Sequence, residues 1–191
     1  MTCAKYEVRA LTFEYHSVAR QEVESAKAIA ARARVKEHRM FRLPDLREAG
    51  DIPGGRFGSL PATYIPARNS IFYSVAGSYA EERRVPLIVG GHNRDDAKVF
   101  RDVREDFFDS LERTLWSGST ILKEQRTRIQ RPLMNKTKVQ VLKLAASLEV
   151  PFELTWSCHR DGSEHCWECA GCLSRLESFK EAGIDDPLYR V

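Results

Sequence analysis

No apolar run in this chain approaches the roughly 18 residues that a helical membrane span requires, and charged residues make up 30% of it, so the reading is a soluble protein with no membrane partner. The N-terminus lacks a charged, apolar-cored leader. A cytoplasmic location follows, and disulfides, which need an oxidising compartment, are out of place. The net charge of +3 is too mild to demand a nucleic-acid partner, and direct nucleic-acid binding is not expected. No internal repeat or low-complexity tract is present, which leaves out a repeat array. Cysteine is scarce: five among 191 residues, of which four fall within the fifteen residues 158–172.

That density needs a physical cause. Two overlapping Cys-x2-Cys knuckles, Cys166-x2-Cys169 and Cys169-x2-Cys172, with Cys158 eight positions upstream, let four sulfurs converge on one tetrahedral ion with Zn–S near 2.3 Å. The expectation is a structural Zn2+ site. An iron–sulfur cluster also takes four cysteines, but at other spacings. His159 and His165 could each replace a sulfur; with four thiolates already completing the shell, they read as neighbours or as donors behind the ligands. A closed shell leaves no position for water, so catalysis is to be sought elsewhere.

At 191 residues the chain can bury about 70% of its unfolded surface, enough for one domain and a small metal-stapled tail. Residues 8–15 read as a strand buried on both faces, and Ala19, Val23, Ala26, Ala30 and Ala33 place a small-residue stripe on a helix over 17–34. Residues 38–43 form a second strand. A long breaker-rich loop, 44–66, has the character of a lid or binding loop, and its Gly54-Gly55 could form an anion nest. Arg68-Asn69 opens a helix carrying Phe72, Val75, Ala76 and Tyr79, with Asn69 or Ser70 as cap; Arg68 has no evident packing reason.

Residues 85–89 read as a buried strand running into Gly90-Gly91-His92-Asn93-Arg94-Asp95-Asp96. Two readings stand side by side: a nucleotide site at a strand's carboxyl end, or a turn with an Asp N-cap. A helix over 102–116 carries Val103, Phe107, Leu111 and Leu115 on one stripe, and a helix from about 135 turns Val141, Leu142, Ala145 and Leu148 inward. Lys136 and Lys138 in its first turn oppose the helix dipole, which points to an anion nearby. The basic series Lys123, Arg126, Arg128, Arg131, Lys136, Lys138 and Lys143 reads either as solvated faces or as an anion or nucleotide site. Residues 150–156 are extended, and 172–182 form a short helix. Strands alternating with helices give an α/β fold with a mostly parallel sheet and flanking helices.

Arg68-Asn69 after Tyr64-Ile65-Pro66-Ala67, then Gly91-His92-Asn93 with Asp96, Asp102-x-Arg104, Pro132-Leu133 with Lys138, and Thr155-Trp156-Ser157-Cys158 with the cysteine cluster closing on Arg175, Phe179 and Asp186-Pro187 occur in that order. Together they resemble the 7-cyano-7-deazaguanine synthases, the PP-loop ATPase-type ligases of queuosine and archaeosine precursor synthesis. The resemblance runs from about Val8 to the C-terminus. It implies an adenine nucleotide alpha hydrolase-like, Rossmann-like domain over 1–150 and a zinc-binding helical subdomain over 151–191. It also implies a cytoplasmic, often homodimeric enzyme that uses ATP, Mg2+ and ammonia to convert 7-carboxy-7-deazaguanine to its nitrile. By motif, Arg68 and Lys138 are the catalytic candidates, Asn69, Gly91, Asn93 and Asp96 bind the nucleotide or substrate, and Cys158, Cys166, Cys169 and Cys172 hold the zinc.

Departures from the family pattern are visible. Its members carry an early Ser-Gly-Gly-x-Asp-Ser loop that cradles phosphate at a helix N-terminus; this chain has none. Residues 1–6 look like the tail of the helix that follows such a loop, so an N-terminal truncation of roughly twenty residues is expected for a first strand, that loop and most of its helix. Arg101 and Val103 replace Pro and Cys or Asn, Trp167 replaces Gly, and Gln140 replaces Glu. The alternative is a truncated or degenerate zinc-stapled paralogue that binds a nucleobase, RNA or a protein partner without ATP-dependent catalysis; a third is another ATP-dependent modifier of nucleobases or tRNA on the same fold.

Overall fold

The computed structural model describes residues 6–16, 19–54 and 57–189. The expectations for residues 1–5, for the first two residues of the 17–34 helix and for Gly55 lie outside them. The chain groups into two compact units, Met1–Arg47 with Val139–Val191, and Glu48–Lys138. Among the described residues no helix is long and apolar enough to cross a membrane.

In the first unit β1 (Arg9–Tyr15) pairs in parallel with β2 (Glu37–Leu43), in register from Arg9 opposite Glu37 to Tyr15 opposite Leu43. Between them runs α1 (Arg20–Arg32), the connection a parallel pair requires. Ala19, Val23 and Ala30 of the small-residue stripe are buried. The β1 residues are half-buried throughout rather than enclosed on both faces, since β2 is the only strand bonded to β1 among the described residues.

The second unit holds α2 (Arg68–Arg83), β3 (Leu87–Val89), the short α3 (Arg94–Val99), α4 (Glu105–Gly118), α5 (Thr120–Gln125) and β4 (Arg128–Gln130). β3 and β4 are parallel and in register, Leu87 opposite Arg128. Their core is Tyr73, Phe108 and Ile129, with Ile88, Phe107, Leu111 and Leu115 against it. The stripe expected on α4 is therefore the packed one, with Val103 buried just before it. On α2 the buried face is rotated from expectation: Tyr73, Ala76, Tyr79 and Ala80 are inside, and Phe72 lies under the Arg68 guanidinium, 6.0 Å from the ring centroid, which gives Arg68 a packing role. The buried Glu112 of α4 accepts the Ile129 N–H at 2.6 Å and pairs with Arg128 at 3.0 Å, so a helix side chain fixes β4.

After Lys138 the chain forms α6 (Lys138–Ser147), a 3-10 turn at Phe152–Leu154 and α7 (Ala170–Ala182). Two expectations are corrected here. Leu148 lies past the end of α6 and is 51% exposed, and the 150–156 run is broken by the 3-10 turn, where the Leu154 N–H bonds the Pro151 carbonyl.

Candidate functional site

The four cysteine sulfurs all lie within 4.8 Å of one another, with Cys166–Cys172 and Cys158–Cys169 both at 3.9 Å. Four sulfurs about 2.3 Å from one tetrahedral ion are about 3.8 Å apart, so the set fits zinc nearly as it stands. A multi-iron cluster binds its thiolates to separate irons and needs them further apart. The sulfurs are readied for negative charge by backbone N–H groups: Cys169 donates to the Cys166 sulfur at 3.3 Å, Arg160 to Cys158 at 3.4 Å and His159 to Cys169 at 3.5 Å.

His165 is not a ligand. Its Nε2 accepts the Ser157 N–H at 3.1 Å, and its ring lies against Trp156 at 4.2 Å and Trp167 at 4.9 Å. Of the two roles expected for it, neighbour or donor behind the ligands, it takes that of a neighbour, accepting a hydrogen bond through Nε2. Trp167 takes φ +57°, the left-handed region that glycine enters freely. The Trp167 ring stacks on His165 and makes an edge contact with Tyr189 at 4.9 Å. At Gly171 a Cβ would crowd the Ser157 carbonyl oxygen and sit 2.9 Å from His159 Nε2. The loop between the first two cysteines reaches α1, whose Arg20 N–H donates to Asp161 at 2.7 Å.

The Thr-Trp-Ser-Cys motif and its distant partners are structural. Trp156 Nε1 donates to the Cys158 carbonyl at 2.8 Å, and Arg175 donates to Thr155 Oγ1 at 2.7 Å. Arg175 also makes two parallel bonds to Asp186, 2.6 and 2.8 Å, with the two side chains only 5% and 3% exposed. Burial alone would raise the Asp186 carboxyl; the Arg175 bonds and charge, with the Leu188 N–H, outweigh it and hold it below the usual range.

The other sequence candidates lie in the second unit. Gly90-Gly91 follows β3, with the Gly90 N–H on the Gln130 carbonyl at 2.9 Å. Asn93 caps α3, its Oδ1 accepting from the Asp95 and Asp96 N–H groups and its Nδ2 donating to Asp96 at 2.7 Å. The cap is therefore Asn93 and not an Asp. Asp95 accepts the Lys138 N–H at 2.9 Å, and Asp96 lies 3.6 Å from the Lys138 ammonium. The anion expected at the start of α6 is thus supplied in part by the chain itself. The Lys138 N–H, followed by Lys98, holds the Asp95 carboxyl below its ordinary value.

Asn69 does not cap α2. The cap position is Ala67, and Asn69 is 4% exposed as the second residue of the helix, where its amide donates to the Asp102 carbonyl at 3.2 Å. Asn93, Asp96 and Lys138 are thus joined, as are Asn69 and Asp102. A Cβ on Gly91 would meet nothing within 4 Å, so crowding does not demand glycine there.

Sequence reasoning passed over Tyr73 and gave Gly90 and His92 no part of their own within the stretch that follows β3. Tyr73 Oη lies 2.8 Å from His92 Nε2, and both rings contact Phe108, at 5.0 and 5.2 Å. Burial pushes the Tyr73 phenol up to about 12 and the imidazole down, so both are neutral at physiological pH. The charges felt at His92 are those of Asp96, Asp102, Arg68 and Arg131. Gly90 and Arg131 directly follow β3 and β4, at the carboxyl ends of two parallel strands, where ligand sites of α/β folds lie.

A family model described as Queuosine biosynthesis protein QueC matches residues 1–183. The chain belongs to the QueC family. It is 35% identical to a 7-cyano-7-deazaguanine synthase of Oceanobacillus iheyensis over 97% of this chain and 87% of that protein. It is similarly 36% identical to one of Thermoplasma acidophilum, over 96% of this chain and 81% of the relative, and 34% identical to one of Acetivibrio thermocellus, over 96% and 86%.

The glycine pair of this QueC chain carries a readable steric signal at its first member. A Cβ on Gly90 would fall deep inside contact of the Tyr73 hydroxyl, and 3.1 Å from His92 Cδ2. Gly90→Ala is therefore expected to lose about 1–3 kcal/mol in urea denaturation. Adding Tyr73→Phe, which removes the clashing oxygen, should restore part of it; an unchanged denaturation midpoint in the single variant would refute the close approach.

Proposed function

We propose that the chain is an ATP-dependent carbon–nitrogen ligase that converts 7-carboxy-7-deazaguanine and ammonia to 7-cyano-7-deazaguanine. The observation that carries this is the likeness, over nearly the whole chain, to 7-cyano-7-deazaguanine synthases. The chemistry sets what the residues must do. A carboxylate is a poor electrophile, so ATP with Mg2+ supplies activation as an adenylate, and dehydration of the amide formed first needs a second activation. The protein's own part is positioning and electrostatic complementarity.

In this reading Arg68 and Lys138 stand over phosphate or carboxylate charge. Asn69, Gly91, Asn93 and Asp96 shape the nucleotide side, with Asn69 acting through the Asp102 backbone and Asn93 by fixing the α3 terminus. Zn2+ on the four cysteines maintains the fold and takes no part in the reaction. The parallel strands with flanking helices belong to an adenine nucleotide alpha hydrolase-like, Rossmann-like arrangement, and the enzyme works in the cytoplasm as a homodimer. The test is incubation of the zinc-loaded protein, extended upstream to carry the phosphate loop that the resemblance implies, with 7-carboxy-7-deazaguanine, ATP, Mg2+ and ammonium, with product followed by mass spectrometry. Nitrile formation that needs all of these supports the reading; folded, zinc-replete protein that forms none defeats it.

A further inference from the structure

We infer that Arg131 is an oxyanion-binding residue of the site beyond β3 and β4, presenting its Nε–Nη2 edge to the oxygens of a carboxylate or a phosphate. The inference rests on the ligase reading only for the choice between those two sources. Arg131 follows the last residue of β4, so it stands at the carboxyl end of a parallel strand, beside the Gly90 end of β3. Its guanidinium lies 4.7 Å over the ring of Phe108, itself fully buried, and Nη1 donates to the Ile129 carbonyl at 3.0 Å. These two contacts fix the plane and occupy one nitrogen.

The Nε donor is left over. Nε is buried and has no hydrogen-bond partner among the described residues. A buried donor without an acceptor is costly and therefore rare in a native fold unless something binds there. Neighbouring basic residues differ in this respect: Arg128 is paired with Glu112 at 3.0 Å, and Lys138 faces Asp96 at 3.6 Å. A guanidinium oriented by a ring face and a carbonyl, with its buried Nε–H left without an acceptor, has the fork geometry that matches two oxygens of one anion. The Arg68 charge reaches the same His92, and the opposing carboxylates there are Asp96 and Asp102. A second cation beside an anionic reactant is what the chemistry of the site calls for.

The test compares Arg131→Lys, which keeps the charge and loses the fork, with the zinc-loaded wild-type chain, after denaturation midpoints show that both are folded. The Arg131 Nε–Hε NMR resonance, identified by its loss in the variant, is followed during titration with inorganic pyrophosphate and with acetate. A saturable shift with either anion is expected; no shift with both overturns the inference, whatever the enzyme assay shows. In the assay, a rise of about tenfold in KM for 7-carboxy-7-deazaguanine, with unchanged binding of the nitrile, assigns the edge to the substrate carboxylate. The same rise confined to ATP assigns it to phosphate. Equal weakening of acid and nitrile, or no change in any constant, reduces Arg131 to packing on Phe108 and overturns the inference. Wild-type chain that neither binds nor converts the deazapurine defeats the ligase reading alone, since the anion titration still decides the role of Arg131.

Discussion

Replacing Cys172 with Ser is expected to abolish zinc retention and to unfold the segment around α7, the largest effect of any single change in this chain. Cys172 is fully buried, 3.9 Å from the Cys166 sulfur, and is the third residue after the cap of α7. In small zinc modules the metal contributes about 10 kcal/mol or more of apparent folding free energy, which far exceeds what any one contact here supplies. The loss should spread. Asp161, in the loop between Cys158 and Cys166, accepts the Arg20 N–H, so fraying of that loop releases the first turn of α1. The measurements are zinc per chain by elemental analysis, near one in wild type, and amide hydrogen exchange over α1 and α7 before and after chelation. Cys3→Ser serves as the control and should keep its zinc. Folded wild-type protein with much less than one zinc, or with iron in its place, would count against the whole assignment.

Arg175→Met is expected to cost about 3–5 kcal/mol, because it strands the Asp186 carboxylate in a buried site. Asp186 loses its two-bond partner, and Thr155 and the Phe152 carbonyl lose donors at 2.7 and 3.4 Å. The sign of the pH dependence follows from the shift. In wild type the folded carboxyl is held below its unfolded value, so its contribution is complete above pH about 4 and is lost as pH falls through the folded value. In the variant, burial without the guanidinium raises the carboxyl instead, so the deficit should be largest at pH 7 and shrink as the pH is lowered toward 4. Urea denaturation at the two pH values measures this. The double variant Arg175→Met/Asp186→Leu should recover most of the loss at pH 7, since an apolar pair needs no compensating charge. A single variant that loses less than about 1 kcal/mol would show that the pair is not the fastening described.

Local features were the readable ones. The cysteine spacing announced a metal site because its ligands sit within fifteen residues and short knuckles leave few ways to arrange them. The stripes on α1 and α4 could be seen because a helix repeats its buried face along its own sequence. By contrast α5 and β4, at six and three residues, are too short for a period, and β4 is fixed by Glu112 from another element. On α2 the period was visible but its phase was not. Phe72 and Tyr73 are equally apolar candidates, and only the position of Phe108 made Tyr73 the inner one.

The sequence by itself determined the cysteine cluster that can hold a metal ion, the main helices and, through an ordered set of motifs, the family. Tertiary structure alone decided that Asn69 holds the Asp102 backbone, that Tyr73 meets His92 above a Gly90 with no room for a side chain, that Arg175 closes on Asp186, and that Arg131 lies on Phe108 with its Nε unpartnered among the described residues. The reason is physical. Helical period and knuckle spacing are properties of neighbours along the chain, whereas these contacts join residues whose separation is fixed only when the elements between them pack.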